Sequence, residues 1–269
     1  MGDDMRHFLT FACEGATLAA TLDEAPGAAG LLIVSGGNEI RIGAHRGMER
    51  LATDLSYLGH PVFRFDRRGI GDSDGVNGGF ETSGPDIEAA LRAFQFACPQ
   101  LKRIVAFGNC DAASALILHT PQGLQALILS NIWVVEPTDD LPPAAAIKSH
   151  YLQRLKDPKA WIALFSGAIN LRKLLSGLTR LAAPQAPSAL TDRVAHAMAR
   201  GSIPAHILLA RRDGTALAFA EAWASDRFAA ARETGLYRVT MLDSSAHSFA
   251  RAADYAALKT ALLESLSRD

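Results

Sequence analysis

Short apolar runs alternate along this chain with longer segments whose apolar residues recur at helical spacing. Leu31–Val34, Pro61–Phe65, Ile104–Phe107 and Ala126–Leu129 are runs of the first kind, each followed directly by Ser, Asp or Gly. Such runs predict strands buried on both faces. Thr17–Leu22 predicts an earlier strand before a Pro26-Gly27 turn, and Ala205–Ala210 and Tyr237–Leu242 predict two later ones with a helix between. Met48–Leu58 has helical spacing and is stopped by Gly59. Pro85–Phe96 is a second helix, with proline in its first turn and Ile87, Leu91 and Phe94 on one face. An amphipathic helix closes the chain from about Ala252 to Ser267. Strands alternating with helices predict an α/β fold with a mostly parallel central sheet flanked by helices.

Between Val135 and Gly201 no strand pattern occurs. Pro137, Pro142 and Pro143 open this stretch, and Ala144–Lys156, Asn170–Leu181 and Leu190–Arg200 have helical character. The expectation is a helical cap at 135–201, inserted into a core made of 1–134 and 202–269. Residues 137–200 carry nine Lys/Arg and four Asp/Glu, against a net charge of −1 for the chain. A solvated helical face accounts for that bias; attraction of an anionic substrate or an acidic carrier is the functional alternative.

At 269 residues and 49% hydrophobic content, the chain is long enough for one α/β domain with an insertion. Its near-neutral charge gives no global pull toward nucleic acid or membranes, and no unbroken apolar stretch approaches a membrane span. The Met1–Arg6 start lacks a signal pattern, so a cytoplasmic location is expected. No metal motif, dinucleotide fingerprint or other cofactor signature is present. The three cysteines, Cys13, Cys98 and Cys110, match no zinc spacing, and Cys13 and Cys98 are expected to be packing residues.

Cys110 differs. The run Arg103-Ile-Val-Ala-Phe-Gly-Asn-Cys110-Asp-Ala-Ala-Ser-Ala-Leu116 reads as a buried strand, an abrupt turn and an Ala/Leu-rich helix. This is the pattern of a nucleophile elbow, G-x-C-x-A in place of G-x-S-x-G. Gly108 and Ala112 supply the small residues needed where strand and helix nearly touch, and the helix start aims free N–H groups at the tip, which favours a thiolate. An ordinary buried cysteine at a strand end is the alternative on these residues alone.

A thiol nucleophile needs a base, and the base needs an orienting acid. The elbow arrangement places them in the order nucleophile, acid, histidine, each after a later strand. Asp213 follows Ile207–Ala210, and His247 follows Val239–Leu242. Asp243, four residues before His247, competes for the acid role and is the weaker choice. Of the eight histidines, His7, His60, His119 and His206 lie on or beside ordinary elements, while His150 and His196 fall in the cap stretch.

Gly36-Gly37 after a strand, Asp66-Arg-Arg-Gly-Ile-Gly-Asp-Ser73, the Cys110 elbow, Asp213 and His247 together resemble the α/β-hydrolase superfamily. Within it, Ser35–Arg46, Phe65–Ser73 and Cys110–Ser114 resemble the first of two hydrolase families associated with bacterial exosortase A systems. That resemblance implies an exopolysaccharide-associated setting without naming a substrate. The superfamily pattern makes the Asp66–Ser73 run a support for the site floor.

The resulting expectation is cleavage of an ester or thioester through an acyl-cysteine intermediate. Cys110 attacks, His247 handles the proton, and Asp213 orients the imidazole. The oxyanion would be met by the backbone N–H of Asp111 and by that of Gly37 or Asn38. His45 and Arg46, in the following loop, are candidate substrate contacts. The substrate is a small-molecule acyl ester or thioester, with acyl-CoA or an acyl carrier protein as possible donors. Acyl transfer to a non-water acceptor and a non-catalytic binding role on the same fold are the two alternatives.

Overall fold

The computed structural model describes residues 6–135 and 189–267. Eight strands are present there: β1 Arg6–Cys13, β2 Ala16–Asp23, β3 Ala29–Val34, β4 Val62–Phe65, β5 Arg103–Asn109, β6 Ala126–Ser130, β7 Ala205–Ala210 and β8 Tyr237–Leu242. The helices are α1 Gly47–Tyr57, α2 Gly84–Ala97, α3 Asp111–Leu118, α4 Ala189–Ala199, α5 Gly214–Ala224, α6 Ala229–Glu233 and α7 Ala252–Leu266.

The strands form one sheet in the order β1-β2-β4-β3-β5-β6-β7-β8. β1 and β2 pair antiparallel, as do β2 and β4, and every pair from β4 to β8 is parallel. Because β4 sits outside β3, β3 and β5 are direct neighbours, with Val34 opposite Gly108. The loop that begins at Ser35 therefore lies beside the turn at Cys110.

Alternate residues of the central strands feed two cores. Leu32, Val34, Phe63 and Phe65 face the layer of α2, α3 and α4, where Phe63 stacks on Phe94 at 5.4 Å. Leu31, Ile33, Val105 and Phe107 face α1 and α7, packing with Leu51, Leu55, Leu258 and Leu262. Each of these buried apolar side chains contributes roughly 1.5–3 kcal/mol. Burial on both faces is why these strands lack polar alternation.

β1 has no counterpart among the predicted strands. It is an edge strand that turns Leu9, Phe11 and Cys13 to the core, but its outward face carries Phe8 at 76% exposure and Ala12, so no clean polar alternation marks it. The stretch expected to form the cap lies outside the described residues from 136 to 188. Its last helix, α4, is described, and Leu190, Val194, Ala195 and Met198 are buried in the main core.

Arg64, in β4, is fully buried against Asp23, with Nη2 donating to the carboxylate at 2.7 Å. Arg6 closes on the same carboxylate, and Arg64 Nη1 donates to the Arg41 carbonyl at 3.0 Å. Arg41 in turn binds the buried Asp66 through its backbone N–H at 2.6 Å and through its guanidinium. This chain of charges anchors the loop after β3 to the sheet. Asp23→Ala leaves Arg64 buried without its carboxylate and is expected to cost about 3–5 kcal/mol in urea unfolding. A loss below about 1 kcal/mol would mean that water replaces the carboxylate.

Candidate active site

β5 ends at Asn109 and α3 begins at Asp111, so one residue makes the whole turn. Cys110 has φ 60° and ψ −125°, a conformation that costs a non-glycine residue roughly 1–3 kcal/mol. Its surroundings enforce it: the Cys110 N–H donates to Ser130 O at 2.9 Å, and its carbonyl accepts from Trp133 N–H at 3.2 Å. A Cβ on Gly108 would stand 2.8 Å from the Ala112 carbonyl carbon, so only glycine allows this crossing. Ala112, wholly buried, completes it with a methyl group where glycine is more usual.

Asp213 and His247 stand just after β7 and β8. Asp213 caps α5, its Oδ1 accepting from Ala216 N–H at 2.9 Å, while Oδ2 lies 3.0 Å from His247 Nδ1. A carboxylate only accepts, so Nδ1 carries the proton and Nε2 is left for the Cys110 thiol. Hydrogen bonding to Asp213, then to Cys110, pushes His247 up to about 10 against the opposing effect of burial. Burial alone would raise Asp213, but hydrogen bonds from His247 and the α5 N–H groups outweigh it and hold the carboxyl below its ordinary value. Asp243 is turned elsewhere: it is exposed and pairs with Arg212 at 2.5 Å.

Two asparagines missed in the sequence reading hold the His247 loop. Asn109 Nδ2 and Asn131 Nδ2 both donate to the His247 carbonyl, at 3.1 and 3.3 Å. Asn131 is fully buried with φ 44°, and its Oδ1 accepts from Ala210 N–H at 2.9 Å, tying the end of β7 to the same loop. Ser130 Oγ donates to Asn109 Oδ1 at 2.8 Å. The available signal was polar residues placed directly after two adjacent apolar runs.

The loop after β3 lies across the elbow. Gly37 N–H donates to Asp111 Oδ1 at 2.6 Å, and the Gly37 carbonyl accepts from the Arg67 guanidinium. The Asn38 N–H and the Asp111 N–H donate to no described residue. Glu39 faces His247, and burial raises its carboxyl from its ordinary value. Arg46 pairs with Glu49 at 2.5 Å, and His45 is exposed beside it, both with positive φ. A cavity of about 20 Å³, room for roughly one water, is lined by Ser35, Glu39, Met48, Asn109 and Ser248. Cys13 and Cys98 are buried and unpaired, each pushed up to about 11 by desolvation.

No family model and no curated protein sequence matches the chain. Solved structures do. An esterase of Pyrococcus furiosus superposes with a TM-score of 0.68 at 16% identity, covering 98% of this chain and 90% of that one. An α/β hydrolase from Sphaerobacter thermophilus gives 0.58 at 16%, covering 96% and 100%. A proline iminopeptidase-related protein from Thermus thermophilus gives 0.58 at 17%, covering 97% of each chain. The chain has the α/β-hydrolase fold. In that fold the parallel strands point their carboxyl ends at one crevice, and Cys110, Asp213 and His247 all lie there. Among the described residues no group of side chains is arranged to hold a metal ion, and no helix is long and apolar enough to cross a membrane.

The raised His247 value has a thermodynamic consequence. A free imidazole titrates near 6.5, so the stability this group contributes is complete below about pH 6.5 and is lost as pH rises through about 10. NMR titration of the ring is expected to give a midpoint near 10, and Asp213→Asn is expected to move it down toward the ordinary range. An unshifted ring in the wild type would contradict the Asp213–His247–Cys110 arrangement.

Proposed function

We propose that this chain is a thiol-dependent hydrolase of esters or thioesters, with Cys110 as nucleophile, His247 as proton carrier and Asp213 as the group that orients the ring. The observation that carries the reading is the strained Cys110 turn facing an imidazole whose far nitrogen is held by Asp213 at 3.0 Å. The esterase of Pyrococcus furiosus, which shares the fold, supports an ester as the substrate class. The likeness of Ser35–Arg46 and Cys110–Ser114 to exosortase-associated hydrolases supports an exopolysaccharide-associated setting.

In the proposed cycle the proton rests on His247, so the sulfur attacks the carbonyl carbon as a thiolate. The tetrahedral oxyanion is met by backbone N–H groups, each contributing on the order of 3 kcal/mol. The carbon–leaving-group bond breaks as Nε2 gives its proton to the departing oxygen or sulfur, leaving an acyl-Cys110 thioester. Neutral His247 then takes a proton from water, hydroxide adds to the thioester carbonyl, and the Cys110 sulfur departs. Asp213 stays ionised throughout and keeps the ring in one tautomer.

Intact-protein mass after brief exposure to activated esters and acyl-CoAs tests this reading. An acyl adduct is expected on the wild type and not on Cys110→Ala, decaying in water alone. An adduct that persists until an acceptor is added would make the protein an acyltransferase. No adduct with any donor would favour a binding role. Asp213→Asn is expected to lower turnover by about a hundredfold or more with the melting curve little changed, and near-wild-type turnover would remove Asp213 from the mechanism.

A further inference from the structure

Gly37 is gripped on both sides. Its N–H donates to Asp111 Oδ1 at 2.6 Å, and its carbonyl accepts from Arg67 Nη2. Arg67 is only 3% exposed, and its Nη2 lies 3.9 Å from Asp111 Oδ2. Its Nε and Nη1 find no acceptor among the described residues, so the grip on Gly37 is the one directed hydrogen bond this guanidinium makes there. The loop has no slack against the elbow: a Cβ on Gly36 would stand 2.7 Å from both Asn109 O and Asp111 Oδ1.

Peptide geometry turns this grip into an aim. The Gly37 carbonyl and the Asn38 N–H belong to the same planar trans unit and point in opposite directions. With the carbonyl drawn onto a buried guanidinium, the Asn38 N–H is turned away from the interior, and it donates to no described residue. A cation on the carbonyl also polarises the peptide and strengthens that N–H as a donor. The Gly37 N–H is already spent on a carboxylate, and an oxyanion would have to displace that charge to use it.

We propose that the Asp111 and Arg67 side chains form a positioning clamp on Gly37 that makes the Asn38 N–H, with the Asp111 N–H, the pair that meets the oxyanion. Asp111 thus acts twice, its backbone as donor and its side chain as the tie holding the second donor in register with the elbow. The inference rests on the acyl-enzyme reading above and names the loop donor of that site.

The test separates oxyanion stabilisation from nucleophile reactivity. Acylation of Cys110 by p-nitrophenyl acetate needs the oxyanion donors, and alkylation by iodoacetamide does not. Asp111→Ala is expected to slow acylation by roughly tenfold or more, while alkylation changes by less than about threefold. Asp111→Asn keeps an oxygen for the Gly37 N–H and is expected to acylate within about threefold of wild type. Faster acylation in Asp111→Ala would overturn the clamp, because the carboxylate would then be occupying the oxyanion's place. Equal slowing of both reactions would overturn it too, assigning Asp111 to the thiol itself, as would unchanged acylation. A wild type that alkylates at Cys110 but never acylates would instead defeat the acyl-enzyme reading, and the clamp with it.

Discussion

β5 and α3 cross with no room between them for a side chain on Gly108, and much of the crevice follows from that contact. A strand that must turn into a helix within one residue has few conformations open to it, and Cys110 takes one that side chains rarely adopt. Its strain is held by hydrogen bonds from both sides, to Ser130 and from Trp133, which belong to β6 and the segment after it. The turn is therefore a property of three consecutive elements and not of the five residues at its centre. Because β3 is the other neighbour of β5, the same crossing fixes where the Gly36-Gly37 loop can lie.

Around that turn the polar groups are arranged so that few are shared loosely. Asp213 uses one oxygen to cap α5 and the other to hold His247, so the helix that follows β7 and the imidazole are oriented by the same carboxylate. Asn109 and Asn131 hold the backbone of His247 while Asp213 holds its ring, which leaves the residue little freedom to turn. Below the loop, the buried Asp23–Arg64 pair and the Arg41–Asp66 pair carry fixed charge from the sheet to the site floor. Buried ion pairs of this kind add little net stability but penalise any arrangement that separates them. Here they favour one position of the loop after β3.

Much of this was legible in the chain. Apolar runs that stop at Ser35, Asp66, Gly108 and Ser130 mark strand ends, and parallel strands must bring such ends to one edge. Asp213 and His247 were placed by that rule and Cys110 by its G-x-C-x-A turn, and the structure brings the three together. The rule could not order the strands, because β3 and β4 exchange places in the sheet relative to the chain. It could not find β1 either, since the outward face of this edge strand carries the apolar Phe8 and Ala12 and so blurs the alternation of Leu9, Phe11 and Cys13, which face the core. Asn109, Asn131 and the grip of Arg67 on Gly37 were illegible for a different reason. They are contacts between separate loops, set by side-chain reach in three dimensions, and no spacing in one dimension encodes them.

A carboxylate beside the proposed oxyanion site looks self-defeating, since two negative charges a few ångströms apart repel strongly where water is scarce. The placement of Arg67 answers this. Asp111 and Arg67 lie 3.9 Å apart, so an oxyanion formed in the proposed reaction would meet a paired charge and not a lone one. The pair is also asymmetric: the guanidinium is buried beneath Gly37, while the carboxylate bonds directly to the Gly37 N–H. That N–H cannot serve both a carboxylate and a substrate oxygen, which leaves the next peptide along as the loop's free donor. An alanine in place of Asp111 would remove the repulsion but also the tie between loop and elbow. The sequence therefore sets a charge where a smaller residue would be electrostatically safer, and the oxygen it offers to the Gly37 N–H, paired with Arg67 beneath the loop, is the physical reason to keep it.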